Sequence, residues 1–152
     1  GYLNNYNKLF LNNISLMRNN TPPQPPEITT ISYDKNENEL YIEWTNGTDD
    51  LTPNNALYYN LEVRSQDGET IYVSGKYGGS SHPTQGYLGN MQQWRNFTLR
   101  DVEENSFKVR LHAIDTGLKP GPWSAWESYT PDVCDVTNTG VWNIIGASCT
   151  LN

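Results

Sequence analysis

Residues 107–114 read Phe-Lys-Val-Arg-Leu-His-Ala-Ile, with apolar and polar side chains alternating throughout. Because successive side chains of a β-strand point to opposite faces, this period of two predicts a half-buried strand. The outer face of this strand is cationic through Lys108, Arg110 and His112. The inner face consists of Phe107, Val109, Leu111 and Ala113.

The same alternation marks two strands earlier in the chain. Residues 40–44 and 57–63 place apolar and aromatic side chains on one face and mostly polar ones on the other. An Asp67-Gly68 turn follows the second of these strands, and residues 70–73 return from it as an antiparallel hairpin partner. The sequence therefore predicts that these two strands are neighbours in one sheet.

Further strands are predicted at residues 94–99 and 123–129. Between the hairpin and the first of these lie residues 74–90, which contain five glycines and predict a long loop. No stretch combines a helical period with helix caps. The predicted fold class is therefore all-β, most simply an antiparallel β-sandwich.

Two flanks surround this β-region. Residues 21–26, Thr-Pro-Pro-Gln-Pro-Pro, predict a stiff polyproline linker, because each proline fixes φ and favours an extended residue before it. The predicted organisation is an N-terminal arm at 1–20, this linker, a domain at 27–130 and a C-terminal tail at 131–152.

The composition excludes some classes of function. The 152 residues carry 10 Lys and Arg against 17 Asp and Glu, a net charge of −7, which argues against a nucleic-acid partner. Aromatic residues make up 12% of the chain, enough to build a core and to argue against disorder. No run approaches 18 apolar residues and no basic-then-apolar leader is present, so neither a membrane span nor a signal peptide is expected.

Residues 23–130 resemble a fibronectin type III domain. The resemblance rests on the proline-rich start, on Leu40-Tyr-Ile-Glu-Trp44 with its core tryptophan, and on Leu57-Tyr-Tyr-Asn-Leu-Glu-Val63. Phe97-Thr-Leu-Arg-Asp-Val102, leading into the strand at 107–114, extends it. The family often has a tyrosine where Phe107 stands, whose hydroxyl closes a corner hydrogen bond that is therefore not expected here.

Four segments are similar to a narrower variant, which follows integrin-like propeller repeats (FG-GAP/VCBS) in large secreted or surface proteins. These segments are Thr48–Pro53, Tyr59–Leu61, Gly86–Asn90 and His112–Asp115. Residues 7–13 and 16–20 are similar to the tail of such a repeat. The resemblance implies an extracellular or cell-surface location. The Asp-x-Asp-x-Asp-Gly calcium loops of those repeats do not occur in this sequence, and no cofactor or metal is expected.

Trp123-Ser-Ala-Trp126 also resembles the Trp-Ser-x-Trp-Ser box of cytokine receptor domains. There, two tryptophans interleave with cationic side chains of a neighbouring strand. Lys108 and Arg110 would supply the cations here, which predicts a cation–π ladder. The motif has two interpretations, a structural ladder or a receptor-like protein-binding module.

Cys134 and Cys149, the only cysteines, both lie in the tail. They are too few for a zinc site without histidine ligands, and His82 and His112 are distant in sequence. In a secreted setting they predict a disulfide, which for a loop of about 15 residues would stabilise the fold by about 3 kcal/mol. Free thiols and intermolecular bonds are the alternatives.

No nucleophile elbow, Cys/His pairing or phosphate-binding glycine loop is visible in the sequence. The acidic pairs Asp49-Asp50 and Glu103-Glu104 are expected in solvated loops rather than as a glycosidase pair. A non-enzymatic protein is therefore expected. Four Asn-x-Ser/Thr sequons are candidate N-glycosylation sites in a glycosylating host, at Asn13, Asn19, Asn46 and Asn96.

Two classes of function follow. The first is an extracellular structural or adhesion module, either within a larger surface protein or as a filament-type subunit whose strand-prone residues 8–11 add to a neighbour's sheet edge. Folding of the arm onto its own domain is the alternative. The second class is a carbohydrate-binding accessory domain of a secreted enzyme, with Tyr77, Tyr87 and Trp94 as glycan contacts. Coverage of the sandwich edge is the other interpretation of these aromatic residues.

Overall fold

The computed structural model describes residues 20–75, 87–136 and 142–145, with residues 133–136 and 142–145 described by their backbone. Within these ranges the chain forms nine β-strands and one 3₁₀ turn, Asn54–Ala56, so the predicted all-β class is confirmed. The strands are β1 Ile28–Asp34, β2 Glu39–Trp44, β3 Tyr58–Ser65, β4 Ile71–Val73, β5 Asn96–Leu99, β6 Phe107–Ile114, β7 Glu127–Tyr129, β8 Val133–Val136 and β9 Trp142–Ile145.

The strands form two main antiparallel sheets, ordered β1-β2-β5 and β4-β3-β6-β7, and a separate β8-β9 hairpin. One hydrophobic cluster takes inward-facing side chains from both main sheets, an arrangement consistent with a β-sandwich. The residues predicted to face inward on β2, β3 and β6 are all buried. They are Leu40, Ile42, Trp44, Tyr59, Leu61, Val63, Phe107, Val109, Leu111 and Ala113. The predicted hairpin of β3 and β4 is also present.

Strand β1 has no counterpart among the predicted strands. Its apolar residues do not follow a simple alternation, because the β1–β2 register shifts between Ile28 and Thr30. The hydroxyl of Tyr33 on this strand donates a hydrogen bond to the carbonyl of Val102, at 2.6 Å. Tyr33 thereby holds the β5–β6 connection, which leads into β6 at Phe107. Phe107 itself has no hydroxyl group and cannot make the corner hydrogen bond.

Residues 20–26, expected as an arm end and a linker, pack on the domain. Pro23 and Pro26 are buried, and the amide of Gln24 donates to the carbonyl of Thr48 at 2.8 Å. Gly121 is required beneath this segment, because a β-carbon there would collide with the carbonyl of Pro23. The segment that contains these prolines therefore lies against the sandwich.

The end of the predicted 74–90 loop closes the edge of β3 beyond the point where β4 ends. The Asn90 side chain accepts from the amide of Leu61 at 2.7 Å and donates to its carbonyl at 2.8 Å, as a neighbouring strand would. The chain must pass very close to β3 here. Gly89 has φ +80°, and a β-carbon on it would collide with the carbonyl of Tyr59.

Candidate functional site

The outer face of the β4-β3-β6-β7 sheet carries charged and aromatic side chains that we call the cation–indole face. Its residues are Asn60, Glu62, Arg64, Lys108, Arg110, His112, Trp123 and Trp126. The β3–β6 register sets Glu62 directly opposite Arg110 and Asn60 directly opposite His112. Alternation predicted that these residues share the outer side of the sheet, whereas their cross-strand pairing depends on the register.

Glu62 is the centre of this face. Its side chain is 1% exposed, and both of its oxygens bind guanidinium groups. Arg64 Nε donates to Oε1 at 2.5 Å, while Arg110 Nε and Nη2 donate to Oε2 at 2.9 and 2.7 Å. A buried carboxylate is tolerated only when it is paired and hydrogen-bonded in this way. Glu62 therefore acts as the counter-charge that allows two arginines to lie over the sheet.

The two tryptophans cover Arg110. The guanidinium carbon of Arg110 lies 4.4 Å from the ring centroid of Trp123 and 4.3 Å from that of Trp126. Lys108 Nζ lies 5.3 Å from the Trp126 centroid. The structure thus brings together the four residues of the predicted ladder.

This stacking also explains why β7 is shorter than the predicted 123–129 strand. In a regular strand, residues three apart point to opposite faces, so Trp123 and Trp126 could not both reach Arg110. The chain is irregular between them, although the amide of Ser124 still donates to the carbonyl of Leu111 at 2.8 Å. Regular β7 begins only at Glu127.

His112 lies on the predicted outer face of its strand, where it is stacked rather than solvated and only 2% exposed. Its ring lies edge-on to Trp123 with centroids 4.2 Å apart, and its Nε2 is 3.1 Å from the amide nitrogen of Asn60. The pKa of His112 is lowered to about 4, chiefly by burial; a backbone hydrogen bond at Ala113 opposes this lowering, and the charge of Arg110 adds to it. The imidazole is therefore neutral at pH 7, stacked within the cation–indole face.

Trp94 is an exposed aromatic residue on a fixed backbone. Its side chain is 57% exposed. Its neighbours are tied to the β2–β3 connection, since Gln93 Nε2 donates to the carbonyl of Ala56 at 3.2 Å and Arg95 Nη1 donates to Asn46 Oδ1 at 3.2 Å. Predicted strand residues 94 and 95 precede regular β5, which starts at Asn96. The indole is presented to solvent beside an amide-rich loop.

The other predicted contacts and modification sites are distributed as follows. Tyr87 is 46% exposed, and Tyr77 lies outside the described residues. Of the sequons, Asn96 is exposed on β5 and Asn46 is half-buried, while Asn13 and Asn19 lie outside the described residues. Cys134 is on β8 and Cys149 lies outside the described residues, so their predicted disulfide stays a prediction.

A groove follows the gap between the edge strands β1 and β7, and we call it the β1–β7 groove. One part, of about 200 Å³, is lined by residues 28–31, Glu127 and Ser128. The larger part, of about 700 Å³, is lined by the β1–β2 hairpin, by Thr98 on β5, by Glu104, and by Tyr129 and Asp132 at the end of β7. Three tyrosines line this larger part, Tyr33, Tyr41 and Tyr129. Four carboxylates line it as well, those of Asp34, Glu39, Glu104 and Asp132.

The β1–β7 groove is electronegative. Burial raises the pKa of Tyr129, and the hydrogen bond to Glu104 and the charges of Glu104 and Asp132 raise it further. The pKa of Tyr33 is also raised, first by burial and then by Glu104, Glu103 and Asp34. Two cations offset part of the charge, since Lys35 Nζ lies 3.2 Å from Glu104 and Arg100 pairs with Glu39.

Sequence reasoning did not identify this groove. The available signal was the hairpin of residues 32–41, in which Ser32 and Asp34 come to lie opposite Tyr41 and Glu39. Recognising it required β1, which the alternation did not reveal. It also required knowing that β1 and β7, which belong to different sheets, lie next to each other.

In the parts of the chain that the structure describes, no group of three or more His, Cys, Asp or Glu side chains is arranged to hold a metal ion. No helix within those parts is long and apolar enough to cross a membrane. Comparisons with known protein families and with curated proteins returned no match.

Proposed function

We propose that this chain is a non-enzymatic, extracellular structural or adhesion module of the fibronectin type III kind. It would act within a larger surface protein or as a self-assembling, filament-type subunit. The observation that carries the proposal is the strand order of the two sheets, β1-β2-β5 and β4-β3-β6-β7. A three-stranded sheet facing a four-stranded one, with β4 paired to β3, supports the type indicated by the sequence resemblance.

The use of the buried polar side chains also supports a structural role. Glu62 pairs with both Arg64 and Arg110, two tryptophans cover Arg110, and the buried Asp115 accepts the Lys119 amide at 2.9 Å. These charges stabilise loops and sheet faces rather than approaching a cleft. Such a framework resists deformation while leaving its edge strands available to partners.

Self-assembly through the N-terminal arm is the form of this function that is most directly tested. Removal of residues 1–19 is expected to leave a folded monomer, whereas the full chain associates as its concentration rises. Asn20 is kept because its amide donates to Asp115 Oδ2 at 2.5 Å. Multi-angle light scattering measures the mass, and thermal unfolding checks the fold.

A chain in which residues 1–19 are replaced by a glycine-serine linker of equal length is the matched control. It shows whether self-association depends on the side chains of residues 1–19 or only on the length of this segment. Identical self-association of the full and shortened chains would contradict the assembly form of the proposal.

Carbohydrate binding is a second candidate, favoured by the exposed Trp94 on its anchored backbone. An indole face beside amide groups is suited to stacking on a sugar ring. Trp94→Ala is expected to abolish binding to any oligosaccharide that the wild type binds on a glycan array, without changing the melting temperature by more than a few degrees. Leu51→Ala, which removes another exposed side chain, is the control. Equal binding by the Trp94→Ala variant and the wild type would exclude this site.

A further inference from the structure

We propose that the β1–β7 groove is the docking site for residues 1–19 of a second copy of this chain, bound as an extended segment beside β1. The inference rests on the self-association proposed above and names its acceptor surface. Within the described residues, the backbone of β1 pairs only with β2 and that of β7 only with β6. Each strand therefore has a backbone edge that can pair with an added segment.

The charges of residues 1–19 and of the β1–β7 groove are complementary. Residues 1–19 contain Lys8 and Arg18 and no acidic residue, so they carry a net charge of +2. Since the whole chain carries −7, the remaining residues carry −9. The larger part of the groove concentrates four of those carboxylates beside three tyrosine rings. Carboxylates and aromatic faces both attract the ammonium and guanidinium groups of an arm.

The ion pairs within the groove leave charge unneutralised. Among the described residues, Lys35 pairs with Glu104 and Arg100 with Glu39, whereas Asp34 and Asp132 face no cation within ion-pair distance. Asp34 Oδ1 accepts the backbone amide of Asn36 at 2.8 Å, which holds this carboxylate at the rim. Asp132 is exposed just beyond β7. These two carboxylates are the charges that a docked arm would neutralise.

Asn20 fixes the point from which residues 1–19 leave the domain, and the choice of a second copy over the same chain follows from the self-association proposed above. The Asn20 side chain binds Asp115, and its carbonyl accepts from the Lys119 ammonium, at the end of the sandwich where β6 finishes. The groove carboxylates lie at the other end, where Tyr129 pairs with Phe107 at the start of β6. An arm leaving one end of each copy for the opposite end of the next gives a head-to-tail contact that repeats without closing.

A labelled synthetic peptide of residues 1–19, titrated with the protein lacking those residues, tests the docking directly. Fluorescence anisotropy is expected to show saturable binding that weakens as salt is added. Asp132→Lys is expected to weaken binding roughly tenfold, because it sets a like charge against Lys8 or Arg18. Asp50→Lys, at an exposed carboxylate of the β2–β3 connection, is expected to bind as the unmodified protein does. Equal binding by Asp132→Lys and the unmodified protein, or no peptide binding, overturns the groove as the acceptor.

Cross-linking in the full chain distinguishes docking in the groove of a second copy from docking on the same copy or on another surface. With a photoreactive benzoylphenylalanine at position 9 and a mixture of ¹⁴N- and ¹⁵N-labelled copies, cross-links from one copy to β1 or β7 of another are expected. Cross-links confined to single copies, or to other strands of a second copy, overturn the inference. Self-association that requires residues 1–19 but is unaffected by Asp132→Lys overturns the groove and leaves the proposed assembly standing. A full chain that is monomeric at every concentration overturns both.

Discussion

Glutamine in place of Glu62 is expected to reduce the free energy of unfolding by about 3 kcal/mol, since removing one partner of a buried ion pair leaves uncompensated charge behind. The substitution keeps the size of the side chain but withdraws the counter-charge of Arg64 and Arg110. Their side chains are 19% and 21% exposed, so neither guanidinium can become fully hydrated without leaving the sheet. Urea unfolding followed by tryptophan fluorescence measures the loss.

Glu39→Gln is the matched control on the opposite sheet. Glu39 pairs with Arg100, but the Arg100 side chain is 70% exposed and solvent screens the pair. Exposed pairs of this kind contribute less than about 1 kcal/mol. If both variants lost the same small amount of stability, the cation–indole face would not depend on its buried carboxylate.

The domain is expected to lose about 3 kcal/mol of stability between pH 6.5 and pH 4 through His112 alone. The pKa of His112 is about 4 in the folded chain, well below its ordinary value of 6.5. Between these two values the unfolded chain binds a proton that the folded chain excludes, so stability rises with pH across this window and is lost as the pH falls. The slope approaches about 1.4 kcal/mol per pH unit.

The surroundings of His112 explain why protonation is resisted. The amide nitrogen of Asn60 donates to the carbonyl of Gly75 at 2.8 Å and faces His112 Nε2 at 3.1 Å. A proton on Nε2 would place two donors against each other. Among the described residues His112 Nδ1 is buried without a hydrogen bond of good geometry, and the backbone group at Ala113 that favours the protonated ring has a smaller effect on the pKa than burial has.

Comparison with His112→Gln isolates this contribution from the carboxylates that titrate in the same range. The difference in unfolding free energy between wild type and variant is expected to shrink by about 3 kcal/mol from pH 7 to pH 4. His82→Gln, which removes the only other histidine of the sequence, measures the contribution of that residue separately. A pH-independent difference between wild type and His112→Gln would contradict the assignment.

The sequence by itself determined which residues of β2, β3 and β6 enter the core. Alternation along β2, β3 and β6 identified the buried face of each strand, because a period of two is a local property that any pleated strand expresses. The Asp67-Gly68 turn likewise determined the β3–β4 hairpin. The cation–π residues were also within reach of the sequence, since Lys108 and Arg110 share a face through the same period.

Tertiary structure alone decided what those faces contact. The burial of Glu62 and His112 follows from the cross-strand register and from Trp123, which lies against Arg110 and His112. A strand pattern that predicts an outer face cannot predict what covers it. The packing of residues 20–26 depends on Thr48 and Gly121, which are distant in sequence. The β1–β7 groove joins edges of two different sheets, and the spacing of residues along one strand carries no information about a gap between sheets.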